Sequence, residues 1–288
     1  MASTSNDRRN PTGPSTENPA EAEAVFLDAH LALLADLPVR HGDAVADIGP
    51  GAGSVTVALA RAVGASGRVY AVDHDPEMLE AVARAARAAG VAERVVLIHH
   101  DLDDGPPPLP EPVAAVWSST CVHHALDWRA AVAGLAELLS PGGVLALAEG
   151  GLPARCLPWD VGAGRPGLEI RLDEAHNRWF TDWFEHRPGV TRPDRGWVDL
   201  LADAGLVDVG SRSALVDVPT PLPEDERAAV VRELAARVDR ARRFLTEDDV
   251  EAWSRLLDPA DPAWLGSRTD LALLTAPTVH RGRAPDRT

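Results

Sequence analysis

Between residues 44 and 149, short continuous apolar runs alternate with longer segments in which apolar residues recur every three to four positions. Continuous apolar runs are typical of strands buried on both faces of a parallel sheet, and the longer spacing is typical of amphipathic helices. The alternation predicts an α/β fold with right-handed crossovers. The predicted strands are Ala44–Ile48, Arg68–Val72, Val95–His99, Val113–Trp117 and Val144–Ala148, and the predicted helices are Ser54–Val63, Pro76–Ala89 and Leu126–Leu139.

The pattern changes on both sides of this alternating region. Residues 1–19 are rich in Ser, Thr, Asn and Pro, which predicts a disordered tail, whereas Ala20–Leu37 has helical spacing. Residues 150–195 show no clear strand pattern. The later predicted elements are helices at Asp194–Ala204, Glu224–Leu245 and after the N-cap Thr246, and strands at Leu206–Val218 and Asp270–Ala276. We expect a single domain over residues 20–288, with lid-like insertions at about 150–195 and 219–262.

Three glycines at alternate positions, Gly49, Gly51 and Gly53, follow Asp47 at the end of the first predicted strand and precede the first predicted helix. Glycine accepts positive φ angles, and its lack of a Cβ lets the backbone approach a ligand closely. The helix that follows presents unpaired N–H groups and the positive end of its dipole. This stretch therefore predicts a nucleotide-type site.

Acidic residues also follow the second, third and fifth predicted strands, as Asp73, Asp101 and Glu149. In an open α/β sheet the ligand lies at the carboxyl ends of the strands, where the strand order reverses. Asp73 lies roughly 20 residues beyond Gly51, the separation expected for an acid that binds both hydroxyls of a ribose. We therefore expect these carboxylates to lie around the same site as the glycines.

Four motifs occur in order along this region: Asp-Ile-Gly-Pro-Gly-Ala-Gly (47–53), Val-Tyr-Ala-Val-Asp (69–73), His-Asp-Leu (100–102) and Leu-Ser-Pro-Gly-Gly-Val-Leu (139–145). Together they resemble class I S-adenosylmethionine-dependent methyltransferases of the group that acts mainly on small molecules. The resemblance covers residues 44–149, with a weaker match in the last two strands. It implies a doubly wound, Rossmann-like sheet of seven strands, mostly parallel, with the last strand antiparallel.

By position, the resemblance assigns ten residues to S-adenosylmethionine: Asp47, Gly49, Gly51, Gly53, Asp73, His74, Met78, Asp101, Leu102 and Ser118. The glycines would line the methionine part of the cofactor, and Asp47 would bind near its amino group, directly or through water. Asp73 would hold the ribose, with His74 and Met78 flanking the ribose or adenine. Asp101 would accept from the adenine amino group, and the leucine after it would pack beside the ring.

The segment after the fourth predicted strand reads Trp117-Ser-Ser-Thr-Cys-Val-His123-His124 and departs from the Asn/Asp-Pro-Pro-Tyr pattern of many methyltransferases that act on the amino groups of bases. Methyl transfer from a sulfonium needs an aligned acceptor and, for some acceptors, removal of a proton, for which histidine is the usual residue near neutral pH. His123 is therefore the candidate base, with a packing role for its ring as the open alternative. We expect His124 to be structural. Glu149 either orients a substrate or lies solvated at its strand end.

Other candidate residues have a structural interpretation that competes with a functional one. Cys121 is expected to be a small buried residue, and the neighbouring His99 and His100 lack the further ligands that a metal site requires, so no metal is expected. Two arginines, Arg171 and Arg178, either contact an acidic substrate or are solvated. Four aromatic residues at helical spacing either bury a helix on the core or form an apolar wall over the acceptor: Trp179, Phe180, Trp183 and Phe184.

The chain carries a net charge of −16, which disfavours a nucleic-acid substrate, and it shows no apolar run long enough to span a membrane and no secretory signal. We therefore expect a cytoplasmic enzyme that methylates a small organic molecule at O, N or C, with a homodimer left open. A nicotinamide-dependent oxidoreductase is one alternative, although Ser54 stands where that fingerprint requires a further glycine or alanine. A non-catalytic cofactor-binding module is the other alternative.

Overall fold

The computed structural model describes residues 31–34 and 37–286. The predicted tail at 1–19 and most of the predicted helix Ala20–Leu37 lie outside these residues, although 31–34 are helical. The strands are β1 Ala44–Ile48, β2 Arg68–Asp73, β3 Val95–His99, β4 Val113–Ser119, β5 Leu139–Arg155, β6 Val207–Ser213, β7 Val216–Val218 and β8 Leu273–Arg283. The helices are α1 Ser54–Val63, α2 Pro76–Ala88, α3 Trp128–Glu137, α4 Leu168–Glu185, α5 Trp197–Asp203, α6 Glu224–Ala241 and α7 Glu247–Leu257.

Seven strands form one mixed sheet in the order β3-β2-β1-β4-β5-β8-β6, and the short β7 also pairs with β8. β1 to β5 pair in parallel, and β8 is antiparallel to β5 and to β6. The predicted doubly wound α/β fold with an antiparallel last strand is thereby confirmed. The strand order reverses between β1 and β4, which places the expected ligand crevice above the carboxyl ends of these two strands.

β1 and β2 are buried except at their ends because helices cover both faces of the sheet, which is why their sequences are continuous apolar runs. α2 begins where the sequence predicts, with Pro76 in its first turn and the Asp75 carboxylate accepting from the Glu77 backbone N–H at 2.8 Å. α7 begins after Thr246, whose hydroxyl accepts from the Asp249 N–H at 3.2 Å. These local signals fixed the starts of both helices.

The prediction for the fifth strand was too short, and the prediction that residues 150–195 lack a strand was wrong for residues 150–155. β5 runs to Arg155 because β8 pairs with it from Val144↔Arg283 to Arg155↔Leu274. The register shifts between Ala148 and Gly151, where Gly150 and Gly151 both have positive φ angles of 70° and 104°. Glycines at a bulge look like a loop in the sequence, which explains the error.

Several other boundaries differ from the predictions. The last strand runs over Leu273–Arg283 rather than Asp270–Ala276, and the helices predicted at Leu126–Leu139 and Asp194–Ala204 run over Trp128–Glu137 and Trp197–Asp203. The single strand predicted at Leu206–Val218 is two strands, β6 and β7, which both pair with β8. The helix predicted to run to Leu245 ends at Ala241, and a 3₁₀ turn at Arg242–Phe244 follows it. The described residues include no helix that is long and apolar enough to cross a membrane.

Two apolar clusters lie against the sheet, and a third lies outside it. The third cluster is built from α4, α6 and α7 together with the ends of β5 and β8, and its fully buried members include Leu172, Leu234, Trp253 and Leu256. α4 therefore packs on a core of its own at one side. Its other contacts, described below, reach the carboxyl ends of β4 and β5.

Candidate functional site

The glycine-rich turn between β1 and α1 is held in a form that side chains would disturb. Gly49, Gly51 and Gly53 have φ angles of 66°, 53° and 89°. A Cβ on Gly49 would lie 2.6 Å from the Cβ of Cys121, and a Cβ on Gly53 would lie 2.9 Å from the Cα of Val82 in α2. Gly53 thus permits close helix packing, whereas Gly49 brings the glycine turn against the turn that follows β4.

Asp47 lies in β1, two residues before Gly49. Its side chain is 1% exposed, and its Oδ2 accepts from the Thr56 hydroxyl of α1 at 2.6 Å. The contact ties the end of β1 to the first turn of α1, and it uses one oxygen of the carboxylate. Asp47 therefore supports the turn, and its assignment to the cofactor's amino group stays a prediction.

Asp73 ends β2, and its Oδ1 accepts from the Asp75 N–H at 2.8 Å. His74 is exposed, with its Nδ1 3.4 Å from the same Oδ1, and this contact raises the pKa of His74. Met78 lies in the first turn of α2 and is partly exposed. The assignment of these three residues to the ribose and adenine stays a prediction.

Asp101 follows β3 and caps a 3₁₀ turn at Leu102–Asp104, with its Oδ1 accepting from the Asp103 N–H at 3.0 Å. Leu102 packs against the apolar cluster on one face of the sheet. His99 and His100 bond instead to backbone carbonyls, those of His74 and Gly105, each at 2.9 Å. Among the described residues, no group of three or more His, Cys, Asp or Glu side chains could hold a metal ion.

Ser118, like Asp47, is a buried polar residue. Its hydroxyl donates to the Ile48 carbonyl at 3.0 Å, across the β1–β4 pair at the point where the strand order reverses. This bond gives Ser118 a role in holding the two strand ends together. Its assignment to the cofactor stays a prediction.

His123 lies in a 3₁₀ turn at Val122–His124, directly after β4, and contacts the end of the neighbouring parallel strand. Its Nδ1 is 2.7 Å from Oε2 of Glu149, a side chain that is 2% exposed. A carboxylate only accepts, so the pair fixes the proton on Nδ1 and leaves the lone pair of Nε2 facing away from Glu149. A buried carboxylate that orients an imidazole in this way suits the imidazole to act as a base.

The other oxygen of Glu149 holds the backbone of the same turn. Oε1 accepts from the N–H groups of Cys121 at 3.0 Å and Val122 at 2.8 Å, with the His123 N–H at 3.4 Å. The interpretation of Glu149 as a solvated strand end was therefore wrong, whereas its role toward a substrate stays a prediction. Three backbone N–H groups of the turn and the ring of His123 take the place of the water molecules that would otherwise solvate the Glu149 carboxylate.

The remaining turn residues behave as structural groups. Burial, with a smaller contribution from Glu149, raises the pKa of the Cys121 thiol, so this cysteine is a neutral, packed side chain. Burial likewise lowers the pKa of His124 to about 3, so its ring is neutral at physiological pH. The indole N–H of Trp128 donates to the His123 carbonyl at 3.1 Å and fixes the turn from the α3 side.

The aromatic residues of α4 divide between the two interpretations made from the sequence. Trp179 and Phe184 are buried, at 8% and 7% exposure. Phe180 and Trp183, which we call the aromatic wall, are only partly buried and face the turn after β4. The Phe180 ring centroid lies 5.5 Å from that of His123, and the Trp183 centroid lies 5.3 Å from that of His124.

The two arginines singled out in the sequence have partners within the protein. Arg171 forms a two-pronged pair with Asp249, with N–O distances of 2.8–3.1 Å, and the pair lowers the pKa of Asp249. Arg178 lies over the Phe244 ring, 5.3 Å from its centroid. The structure therefore gives neither arginine a place beside His123. Sequence reasoning missed Arg187, Asp103 and Trp128, since no motif marks them.

The comparisons with known proteins agree with this geometry. A family profile described as "Methyltransferase domain" matches residues 45–143. A probable cobalt-precorrin-6B C(15)-methyltransferase (decarboxylating) of Pyrobaculum calidifontis is 48% identical over 65 residues, which cover 23% of this chain and 33% of the relative. An uncharacterized 37.1 kDa protein in transposon TN4556 of Streptomyces fradiae is 29% identical over 204 residues, 70% of this chain and 49% of the relative. This chain thus spans about a third of the first of these relatives.

Solved structures share the fold over most of the chain. YcgJ from Bacillus subtilis aligns with a TM-score of 0.52 at 17% identity and covers 90% of this chain and 99% of that one. Phosphoethanolamine N-methyltransferase 2 of Haemonchus contortus, in complex with S-adenosyl-L-methionine, aligns at 0.50 and 16% identity, covering 92% and 56%. These likenesses show the fold alone. The profile match, the four motifs and the sheet order together show that this chain contains, at residues 45–143, a domain of the class I methyltransferase family, whose methyl donor is S-adenosylmethionine.

Proposed function

We propose that this protein transfers a methyl group from S-adenosylmethionine to a small organic acceptor, with His123 as the base. The observation that carries the proposal is the 2.7 Å contact between His123 Nδ1 and the buried Glu149 carboxylate. This pair lies two residues from Cys121, the residue against which Gly49 packs. The candidate base therefore adjoins the turn assigned to the cofactor's methionine part.

The backbone of the crevice has the features that the cofactor requires. Gly49, Gly51 and Gly53 hold the turn after β1 at positive φ angles, and the N-terminus of α1 follows this turn directly. Asp73 and Asp101 stand at the ends of the neighbouring strands, where a carboxylate can accept from ribose hydroxyls and from an adenine amino group. S-adenosylmethionine, when bound, supplies a methyl group already activated on a sulfonium.

The chain's own residues would align the acceptor and take up its proton. Holding the acceptor atom in line with the S–CH₃ bond supplies a large part of the rate. As the new bond forms and the sulfur–carbon bond breaks, the proton of an O–H or N–H acceptor would pass to Nε2 of His123. Glu149 stabilises the resulting imidazolium, because its carboxylate already faces Nδ1.

The acceptor would lie between His123 and the aromatic wall of α4. Phe180 and Trp183 are partly buried and reach this turn from residues 156–195, the segment after β5 that we interpret as a lid over the acceptor. Side chains of this kind line small-molecule sites that exclude water. The net charge of −16 also favours a small acceptor over a nucleic acid.

Two measurements test the proposal. Titration calorimetry with S-adenosylhomocysteine and with NAD should show binding of the first compound only, and the converse result would favour the oxidoreductase alternative. Incubation with methyl-labelled S-adenosylmethionine and a panel of hydroxylated and amino metabolites should then label a small product. Binding without transfer to any acceptor would favour a non-catalytic module.

The role of His123 is tested with the acceptor found in that screen. His123→Ala should lower turnover by about 10²-fold or more while the affinity for S-adenosylhomocysteine stays the same. His41→Ala, which changes an exposed histidine before β1, serves as the matched control. Unchanged turnover in His123→Ala would remove this residue from the mechanism.

A further inference from the structure

Arg187 lies two residues beyond the end of α4 and contacts three parts of the site. Its Nη2 is 3.2 Å from Oδ2 of Asp103, and its Nη1 donates to the His124 carbonyl. Its guanidinium carbon lies 4.6 Å from the ring centroid of Trp183. Arg187 is only 24% exposed, so these contacts hold its side chain in one place.

Asp103 connects these contacts to the adenine side of the crevice. Its backbone N–H donates to Asp101 at 3.0 Å, and its carboxylate has a different partner on each oxygen. Oδ1 accepts from the Leu126 N–H at 2.7 Å, and Oδ2 faces Arg187. Asp103 is therefore bonded at once to the candidate adenine residue, to the turn after β4 and to the end of α4.

A backbone connection holds the same end of α4. The Thr191 N–H donates to the Leu126 carbonyl at 2.7 Å, and Asp127 forms a parallel bridge with Thr191. The segment after α4 therefore runs alongside the turn that carries His123. Since Trp183 and Phe180 lie on the last turns of α4, their positions over His123 depend on this attachment.

We propose that Arg187 is a positioning residue that, with Asp103, couples cofactor binding to the placement of the aromatic wall over His123. An adenine held by Asp101 would order residues 101–104. Ordering of Asp103 would then strengthen its pair with Arg187 and restrain the end of α4. This inference rests on the proposed function, because it takes residues 101–104 as the adenine site.

The test is hydrogen–deuterium exchange of the full chain with and without S-adenosylhomocysteine. In the wild type, the compound should slow exchange by about fivefold or more both at residues 45–104 and at residues 180–191. In Arg187→Met, the slowing should remain at 45–104 and be lost at 180–191. Arg187→Lys should keep part of it, since the charge remains. Arg178→Met, which changes an arginine on α4 away from the turn, should match the wild type.

A purely structural role for Arg187 predicts a different result: exchange at 180–191 in Arg187→Met would be faster than in the wild type, but the compound would still slow it by the wild-type factor. If Arg187→Met folds poorly, Asp103→Asn tests the same link from the other side, because it retains Oδ1 for Leu126 and removes the charge that faces Arg187. It should lose the slowing at 180–191 and keep it at 45–104. Equal compound-dependent slowing at 180–191 in all variants would overturn the coupling and leave the proposed function intact. Failure of the compound to bind the wild type would instead overturn the proposed function, and the coupling with it.

Discussion

Replacing Glu149 with Gln should reverse the proton arrangement of His123. The two oxygens of the Glu149 carboxylate have different partners. Oε1 accepts from the backbone N–H groups of the turn at 3.0 and 2.8 Å, and Oε2 lies 2.7 Å from His123 Nδ1. A glutamine has a single acceptor oxygen. Its oxygen should face the backbone N–H groups, because turning the amide around would set NH₂ against them. The NH₂ group then donates to Nδ1, which moves the ring proton to Nε2 and removes the basic lone pair.

The magnitudes follow from these contacts. A hydrogen bond to a charged group contributes roughly 1 kcal/mol more than a neutral one, so weakening two backbone bonds should lower the free energy of unfolding by about 2 kcal/mol. That corresponds to a fall in Tm of about 4–8 °C for a chain of this size. Loss of the base should reduce turnover by about 10²–10⁴-fold. Glu149→Ala would leave the N–H groups without an acceptor and cost more stability, so Gln is the informative change.

The assay is nitrogen-15 NMR of the histidine rings, which reports the tautomer and needs no acceptor. In the wild type, the His123 signals should show the proton on Nδ1, and in Glu149→Gln they should show it on Nε2. Turnover with the acceptor from the labelling screen then tests the consequence. An unchanged tautomer, or a changed tautomer with turnover within about threefold of wild type, would refute the reasoning about the base.

Three further predictions concern the surrounding groups. Gly49→Ala should lower the free energy of unfolding by about 2–4 kcal/mol, measured by urea unfolding. The added Cβ would clash with the turn after β4, and alanine disfavours the positive φ angle at this position. Gly90→Ala, at φ 68° with no atom within 4 Å of the added Cβ, should cost only about 1 kcal/mol, and equal losses would contradict the steric argument. The wild type should lose stability as the pH falls from about 6.5 toward about 3, since unfolded His124 takes up a proton that the folded ring, with its pKa lowered to about 3, does not. In His124→Gln, the free energy of unfolding measured with denaturant should decline less over that pH range. Equal declines in the variant and the wild type would refute the contribution of His124. Phe180→Ala should raise the KM of the acceptor while the affinity for S-adenosylhomocysteine, measured by calorimetry, stays the same.

The parts of the fold that depend on local sequence were predictable. β1, α1 and β3 have the predicted bounds because continuous apolar runs and the glycine turn mark them directly. The length of β5 was not predictable, because Gly150 and Gly151 resemble a loop unless the pairing with β8 is known. Pairing across more than 100 residues leaves no periodic trace in either segment.

The candidate site divides in the same way. Asp73 and Asp101 could be singled out from the sequence because they follow predicted strands. The contact between His123, in the turn after β4, and Glu149, in β5, joins residues 26 apart, and that between Arg187 and Asp103 joins residues 84 apart. Such contacts are set by the order of strands and by the path of α4, so a single sequence offers the candidates without their partners.

The long β5 gives the site its organisation. Glu149 lies at the end of the buried part of β5, and its backbone carbonyl accepts from Nε2 of His280 in β8 at 3.0 Å. The same strand continues to Arg155, which pairs with Asp173 of α4. The carboxylate that orients the candidate base and the helix that carries the aromatic wall are therefore attached to one strand. Because α4 packs on its own apolar cluster, changes in Phe180 or Trp183 can alter the acceptor side without disturbing the hydrogen bonds of Glu149. The motifs thus identify the methyl donor, and we propose that the acceptor depends on Phe180 and Trp183, which no motif in this sequence marks.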